Sequence, residues 1–280
     1  MKIINYFLQY LLIKLFFLIC KIIGYKKASN LGKLVGEKVG PYLKSKKVIK
    51  NNINRILPNA TKEDVNLIVK KMWGNYGRIL SEYVFIKDFK EGNLEKYINV
   101  IGSEYLNDIR KKNIPVVFVS GHFNNFELMA MVIQKEGINL GAIYRPLNNF
   151  FLNKTMEKIR IKHICKIQIK KGLSGIREIL NLFKKNVSIA LMIDQRVTEG
   201  IKSNFFNREA FTTTIPAQLV KKFNCPVVSI YIERIEKYNF RLIINKPIYF
   251  AKDESLDQIT EKLNYILEKM VLKNPEQWIL

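Results

Sequence analysis

Between residues 116 and 193, four short and almost wholly apolar runs alternate with stretches of helical period, which constrains the fold more than any other feature of the chain. The runs are 116–119, 140–144, 167–169 and 187–193, and the helical stretches that follow them are 126–135, 148–162, 174–184 and 216–223. Strands that are apolar along their whole length are buried on both faces, and intervening helices provide the crossovers that parallel strands need. An α/β fold is expected, with a central, largely parallel mixed sheet flanked by helices. Segments 28–50 and 62–85 precede this pattern and read as helices, with Thr61 placed to cap the second. Segments 227–234 and 240–244 read as a hairpin, and 256–271 as a closing helix.

In open α/β sheets ligands gather at the carboxyl ends of strands. Three strand ends here carry polar residues: Ser120-Gly121-His122, Tyr144-Arg145-Pro146 and Asp194-Gln195-Arg196. His122 is one of only two histidines, and Glu127 follows it by five residues, where a helix begins. On a single helix that spacing would set the two about 140° apart. They pair only if His122 sits in the turn and Glu127 in the first helical turn, with Asn124 or Asn125 as cap. There the helix dipole keeps Glu127 ionised. It is then expected to accept the Nδ1 proton of His122, leaving Nε2 free as a base. Spacing alone also leaves a purely structural histidine open.

No G-x-S-x-G elbow is present, and Ser120 stands too close to His122 in sequence for a triad. A base acting directly on a substrate hydroxyl fits better. Arg145 is suited to an oxyanion or a phosphate, or else to a salt bridge with Asp194. His163 has no acid nearby and reads as structural. Cys20, Cys165 and Cys225 are scattered and form no CxxC pair, so neither a metal site nor a disulfide framework is expected. With no P-loop and no G-x-G-x-x-G, no nucleotide or other cofactor is expected.

The 47 Lys and Arg residues against 24 Asp and Glu give a formal net charge of +23, a field that favours anionic partners. The N-terminus points toward a membrane. Seventeen of the twenty-one residues in 3–23 are apolar or aromatic. At about 1.5 Å per residue this matches the roughly 30 Å hydrocarbon layer of a bilayer. Its exceptions, Asn5, Gln9, Lys14 and Lys21, form no single polar stripe, so an anchor is expected rather than a helix lying on the surface, with a buried N-terminal core helix as the alternative. Ten basic residues and one acid between Lys21 and Arg55 predict that the bulk of the chain lies on the cytoplasmic side, against anionic lipid. Residues 1–24 thus read as a membrane anchor and 25–280 as one catalytic unit, with a helical entry segment over 28–90 and an α/β core over 100–280. The basic residues carry no nucleic-acid motif, and no nucleic-acid partner is expected.

Taken in order, these features resemble the lipid A secondary acyltransferases, the lauroyl/myristoyl family of Gram-negative inner membranes within the wider lysophospholipid acyltransferase-like superfamily. The resemblance rests on the N-terminal helix, on H-x4-E at His122 and Glu127, on Tyr144-Arg145-Pro146 and on Asp194-Gln195. Phe205-Phe206 with Thr212-Thr213-Thr214, and Pro275-Glu276-Gln277-Trp278, extend it over nearly the whole chain. It implies a glycerolipid acyltransferase-like fold and transfer of a fatty acyl group from acyl carrier protein to a hydroxyl of a Kdo-bearing lipid A precursor. His122 would be the base and Glu127 its orienting partner, with Arg145, Asp194, Gln195 and Asn125 about the oxyanion and substrates. The charge then suits acidic acyl carrier protein, the phosphorylated precursor and anionic membrane lipid.

The sequence departs from the family at Asn207, where glycine usually follows Phe-Phe; asparagine tolerates the positive φ such a turn needs. The chain also ends at Leu280, where members commonly continue into a basic, aromatic tail. A glycerophospholipid or other glycolipid acyltransferase shares the chemistry, although the former usually has aspartate in place of Glu127. A non-catalytic, basic, membrane-binding protein is the reading from a different class.

Overall fold

The structure is a computed structural model that describes residues 1–43 and 45–278; Lys44, Ile279 and Leu280 lie outside the described residues. The chain opens with α1 (Lys2–Ile23), α2 (Tyr25–Val39), α3 (Lys46–Ile56) and α4 (Lys62–Glu82). A Gly40–Tyr42 turn containing Pro41 breaks the single helix expected over 28–50 into two. Thr61 does cap α4, in a reciprocal capping box with Asp64.

Next come α5 (Ile86–Lys90), β1 (Ile98–Ile101), α6 (Ser103–Lys112), β2 (Val117–Ser120), α7 (Glu127–Lys135), β3 (Leu140–Tyr144) and α8 (Phe150–His163). They are followed by β4 (Ile167–Lys170), α9 (Leu173–Lys184), β5 (Ser188–Met192), β6 (Ile201–Asn204), β7 (Glu209–Thr212) and α10 (Ile215–Phe223). The chain closes with β8 (Val227–Glu236), β9 (Asn239–Ile244) and α11 (Leu256–Lys273).

The expected sheet is present, in the order β1-β9-β8-β2-β5-β3-β4. All neighbours run parallel except β8 and β9, which form the expected hairpin. Every residue of the central strand β2 is buried, as its unbroken apolar run requires. Four elements went unread in the sequence. β1 has only four residues, alternately half-buried and exposed, and α6 buries only Leu106 and Ile109. The hairpin β6–β7 lies in what reads as a long loop, because both of its strands are polar and short. At its tip Phe206 and Asn207 have φ of 52° and 57°, so Asn207 adopts the left-handed backbone expected of it.

Two close packings set the frame. α2 crosses α4 through Gly32 and Gly36 against Gly77, where a Cβ on Gly77 would stand 1.9 Å from the Gly32 carbonyl oxygen. Only glycine permits that approach. α1, in turn, docks on the rest of the protein along one stripe: Phe17 and Cys20 are buried, and Ile13, Phe16 and Ile23 are partly so. Asn149, which caps α8, also donates from Nδ2 to the Tyr6 carbonyl at 2.8 Å. The remaining face of α1 is exposed and apolar, with Ile4, Leu8, Leu11, Leu12, Leu15, Leu18 and Ile22 outward. This helix is long and apolar enough to cross a membrane.

Candidate active site

Strand register brings the site together. β2 and β5 are adjacent and parallel, with Ser120 opposite Met192. His122 and Asp194 each lie two residues beyond that pair, so the two chains leave the sheet side by side. The His122 Nδ1 meets Asp194 Oδ1 at 2.7 Å, and the His122 backbone N–H donates to Asp194 Oδ2 at 2.7 Å. The Trp278 indole Nε1–H donates to the same Oδ2 at 2.9 Å. The Asp194 side chain is 1% exposed and that of His122 21%, so the carboxylate is sealed beneath an imidazole open to the cleft. Burial alone would push the Asp194 carboxyl up, but His122 beside it and the N–H donors on its oxygens hold it below the ordinary carboxylate value. An ionised acceptor at Nδ1 keeps the imidazole proton there and leaves the Nε2 lone pair available as a base.

Glu127 does not meet His122, contrary to the pairing expected from H-x4-E. It does begin α7, as expected. Its side chain turns toward α8, where Arg160 donates to Oε1 from Nε at 2.8 Å and from Nη2 at 2.6 Å, and Tyr83 of the turn after α4 adds a hydroxyl at 3.4 Å. Burial alone would weaken the Arg160 guanidinium as a base, but Glu127 beside it raises it above its ordinary value. The reason for the difference is topological. The carboxylate that reaches His122 comes from the neighbouring strand, 72 residues away, and adjacency of β2 and β5 is a property of the sheet alone.

The other candidates separate cleanly. The ends of β2, β3 and β5 line one cleft of about 520 Å3, and Ser120, His122, Tyr144, Arg145, Pro146 and Gln195 all face it. Arg145 is exposed at its rim and makes no salt bridge with Asp194. Asn125 is brought elsewhere: it is fully buried behind the turn, with Nδ2 directed at Glu82 Oε2 at 3.4 Å. The Ser120 hydroxyl is committed to the Ile230 carbonyl at 2.6 Å, so it is not poised as a nucleophile. His163 closes α8 and does not line the cleft. Below the polar rim the cleft is walled by Phe118, Met129, Ala130, Ile133, Ala142 and Ala190, an apolar trough suited to hydrocarbon.

Sequence reasoning missed two contributors. Arg160 has no local signal, since its partner Glu127 lies 33 residues back. Trp278 was visible within Pro275-Glu276-Gln277-Trp278, but nothing in the sequence says that its indole reaches Asp194, 84 residues away.

The chain is similar to known proteins over most of its length. Lipid A biosynthesis palmitoleoyltransferase of Escherichia coli (strain K12) is 25% identical over 259 residues, covering 89% of this chain and 81% of that protein. The lauroyltransferase of the same organism is 22% identical over 262 residues, covering 91% and 82%. Among solved structures, the 1-acyl-sn-glycerophosphate acyltransferase of Thermotoga maritima aligns with a TM-score of 0.43 at 12% identity, covering 91% of this chain and 100% of that one. The family described as bacterial lipid A biosynthesis acyltransferase matches residues 1–280. With its whole length so matched, the chain belongs to the bacterial lipid A biosynthesis acyltransferases.

Proposed function

We propose that the protein transfers a fatty acyl group from acyl carrier protein to a hydroxyl of a Kdo-bearing lipid A precursor, with His122 as general base. The observation that carries this reading is the pairing of His122 Nδ1 with the buried Asp194 carboxylate at the mouth of an apolar cleft. In the reaction His122 Nε2 takes the proton of the acceptor hydroxyl as its oxygen attacks the thioester carbonyl. The carbonyl oxygen becomes an oxyanion, which Arg145 at the rim is suited to neutralise. Collapse of the tetrahedral intermediate breaks the C–S bond, and the proton held on His122 goes to the departing thiolate. Asp194 stabilises the transient imidazolium. Gln195 faces the cleft beside the reacting groups, and the apolar trough takes the acyl chain. Glu127 serves by pinning α7 to α8 through Arg160, which keeps that wall of the trough in place.

The outward face of α1 and the basic residues after it support attachment to the cytoplasmic face of the inner membrane, where anionic lipid meets the cluster. The +23 charge supports capture of acidic acyl carrier protein.

Purified protein in detergent, given acyl-loaded carrier protein and lipid A precursor, is expected to yield a product heavier by one acyl chain. His122→Ala should abolish that product while leaving the melting temperature within a few degrees of wild type. Equal transfer by both proteins would remove His122 from the chemistry. Acylation of lysophosphatidic acid in place of the precursor would assign the protein to glycerophospholipid synthesis.

A further inference from the structure

The turn that carries His122 is clamped by the segment that follows α11. Asn124 donates its backbone N–H to the Gln277 carbonyl at 2.8 Å and its Nδ2 to Gln277 Oε1 at 2.9 Å. The Gln277 amide is held in turn on β8: the Arg234 N–H donates to Oε1 at 2.7 Å, and Gln277 Nε2 donates to the Arg234 carbonyl at 3.0 Å. One residue on, Phe123 and Trp278 form an isolated antiparallel bridge. The Trp278 ring is buried and meets Phe205 edge-on at 6.3 Å. Its Nε1–H ends on Asp194 Oδ2, the oxygen that also accepts the His122 backbone N–H.

We infer that Trp278 is a positioning residue for acyl transfer, and that its indole N–H locks the Asp194 carboxylate in the orientation that keeps Oδ1 on His122 Nδ1. The inference rests on the assignment of His122 as base. A carboxylate turns readily about its Cβ–Cγ bond unless both oxygens are engaged. Here Oδ1 is held by the imidazole and Oδ2 by two N–H groups from separate parts of the chain, so rotation would break all three bonds. Trp278 does not line the cleft, and its only side-chain hydrogen bond among the described residues is the one to Asp194, so the N–H acts on the reaction through that carboxylate.

Trp278→Phe deletes the N–H and keeps an aromatic ring. Loss of a hydrogen bond to a charged group predicts a fall in kcat of about tenfold to a hundredfold with KM changed by no more than about twofold. Removing a donor makes the carboxylate more basic, so protonation of the dyad sets in earlier on acidification, and the acid limb of kcat/KM moves to higher pH. Phe205→Leu removes the ring packed on Trp278 and spares the N–H; it should lower the melting temperature and leave that limb in place.

Should Trp278→Phe fold poorly, both tryptophans can be replaced biosynthetically by the benzothienyl isostere, which lacks the N–H. Trp73, the other one, has an Nε1–H with no partner among the described residues, so the exchange isolates the Trp278 bond. Wild-type kcat and pH profile in either protein, with His122→Ala inactive, would overturn the positioning role. Activity in His122→Ala would instead overturn the reading beneath it.

Discussion

Asp194→Asn is the sharpest perturbation of this site, because the amide has the shape of the carboxylate and the opposite hydrogen-bonding character on one side. Two N–H groups, from the His122 backbone and Trp278, converge on Oδ2. The amide oxygen must occupy that position, since an NH2 there would face two donors in a site where the side chain is 1% exposed. The NH2 then faces His122 Nδ1 across 2.7 Å, so Nδ1 becomes the acceptor and its proton moves to Nε2. The base lone pair is lost without any change of shape. Inversion of a catalytic histidine's tautomer costs roughly 10^3–10^4 in kcat, about 4–5.5 kcal/mol of transition-state stabilisation. Mass-spectrometric initial rates with acyl-loaded carrier protein and lipid A precursor measure it directly.

Stability should respond differently in the same variant. The Asp194 carboxyl lies below its ordinary value of 3.8 in the folded protein, so its stabilisation is complete above that pH and is lost as pH falls through the lower folded value. Wild type and Asp194→Asn should therefore converge in melting temperature only below about pH 4. Retention of kcat within about tenfold of wild type by a folded Asp194→Asn protein would refute the tautomer argument.

Three further outcomes are expected. Glu127→Ala strands the Arg160 guanidinium in a mostly buried site, so it should destabilise the protein by about 3–5 kcal/mol in denaturant titration. Its activity should fall less than that of Asp194→Asn, with the acid limb unmoved; a displaced limb at unchanged stability would return Glu127 to the role of the histidine's partner. Gly77→Ala drives a methyl group into the Gly32 carbonyl and should cost about 1–3 kcal/mol or more in thermal melts, and an unchanged melt would contradict the tight crossing of α2 and α4. Leu8, Leu12 and Leu15 are all exposed on α1. Replacing the three by lysine, each worth about 2.5–3.5 kcal/mol at the centre of a spanning helix, should release the protein from floated anionic vesicles at unchanged melting temperature. Continued flotation would mean that the outward face of α1 does not meet lipid.

The sequence by itself determined the class of fold and the strand ends that meet at the cleft. Apolar runs of three to seven residues separated by helical periods have few ways to bury both faces, and a parallel sheet is the one that also satisfies the connections. The same logic put His122, Arg145 and Gln195 at strand ends, and all three do face one cleft. The capping signal at Thr61 and the left-handed turn at Asn207 were legible for the same reason: each depends on neighbours within a few residues.

The partner of the histidine was a different kind of question. Proximity in sequence nominated Glu127, five residues away, whereas the fold supplied Asp194 from the next strand and a further donor from Trp278 near the chain's end. The order of strands in a sheet is decided by how the whole set of helices and strands packs, and no local period encodes that β5 lies beside β2. Which carboxylate lies beneath His122, and which instead pairs with Arg160 between α7 and α8, was therefore decided only when the sheet closed around them.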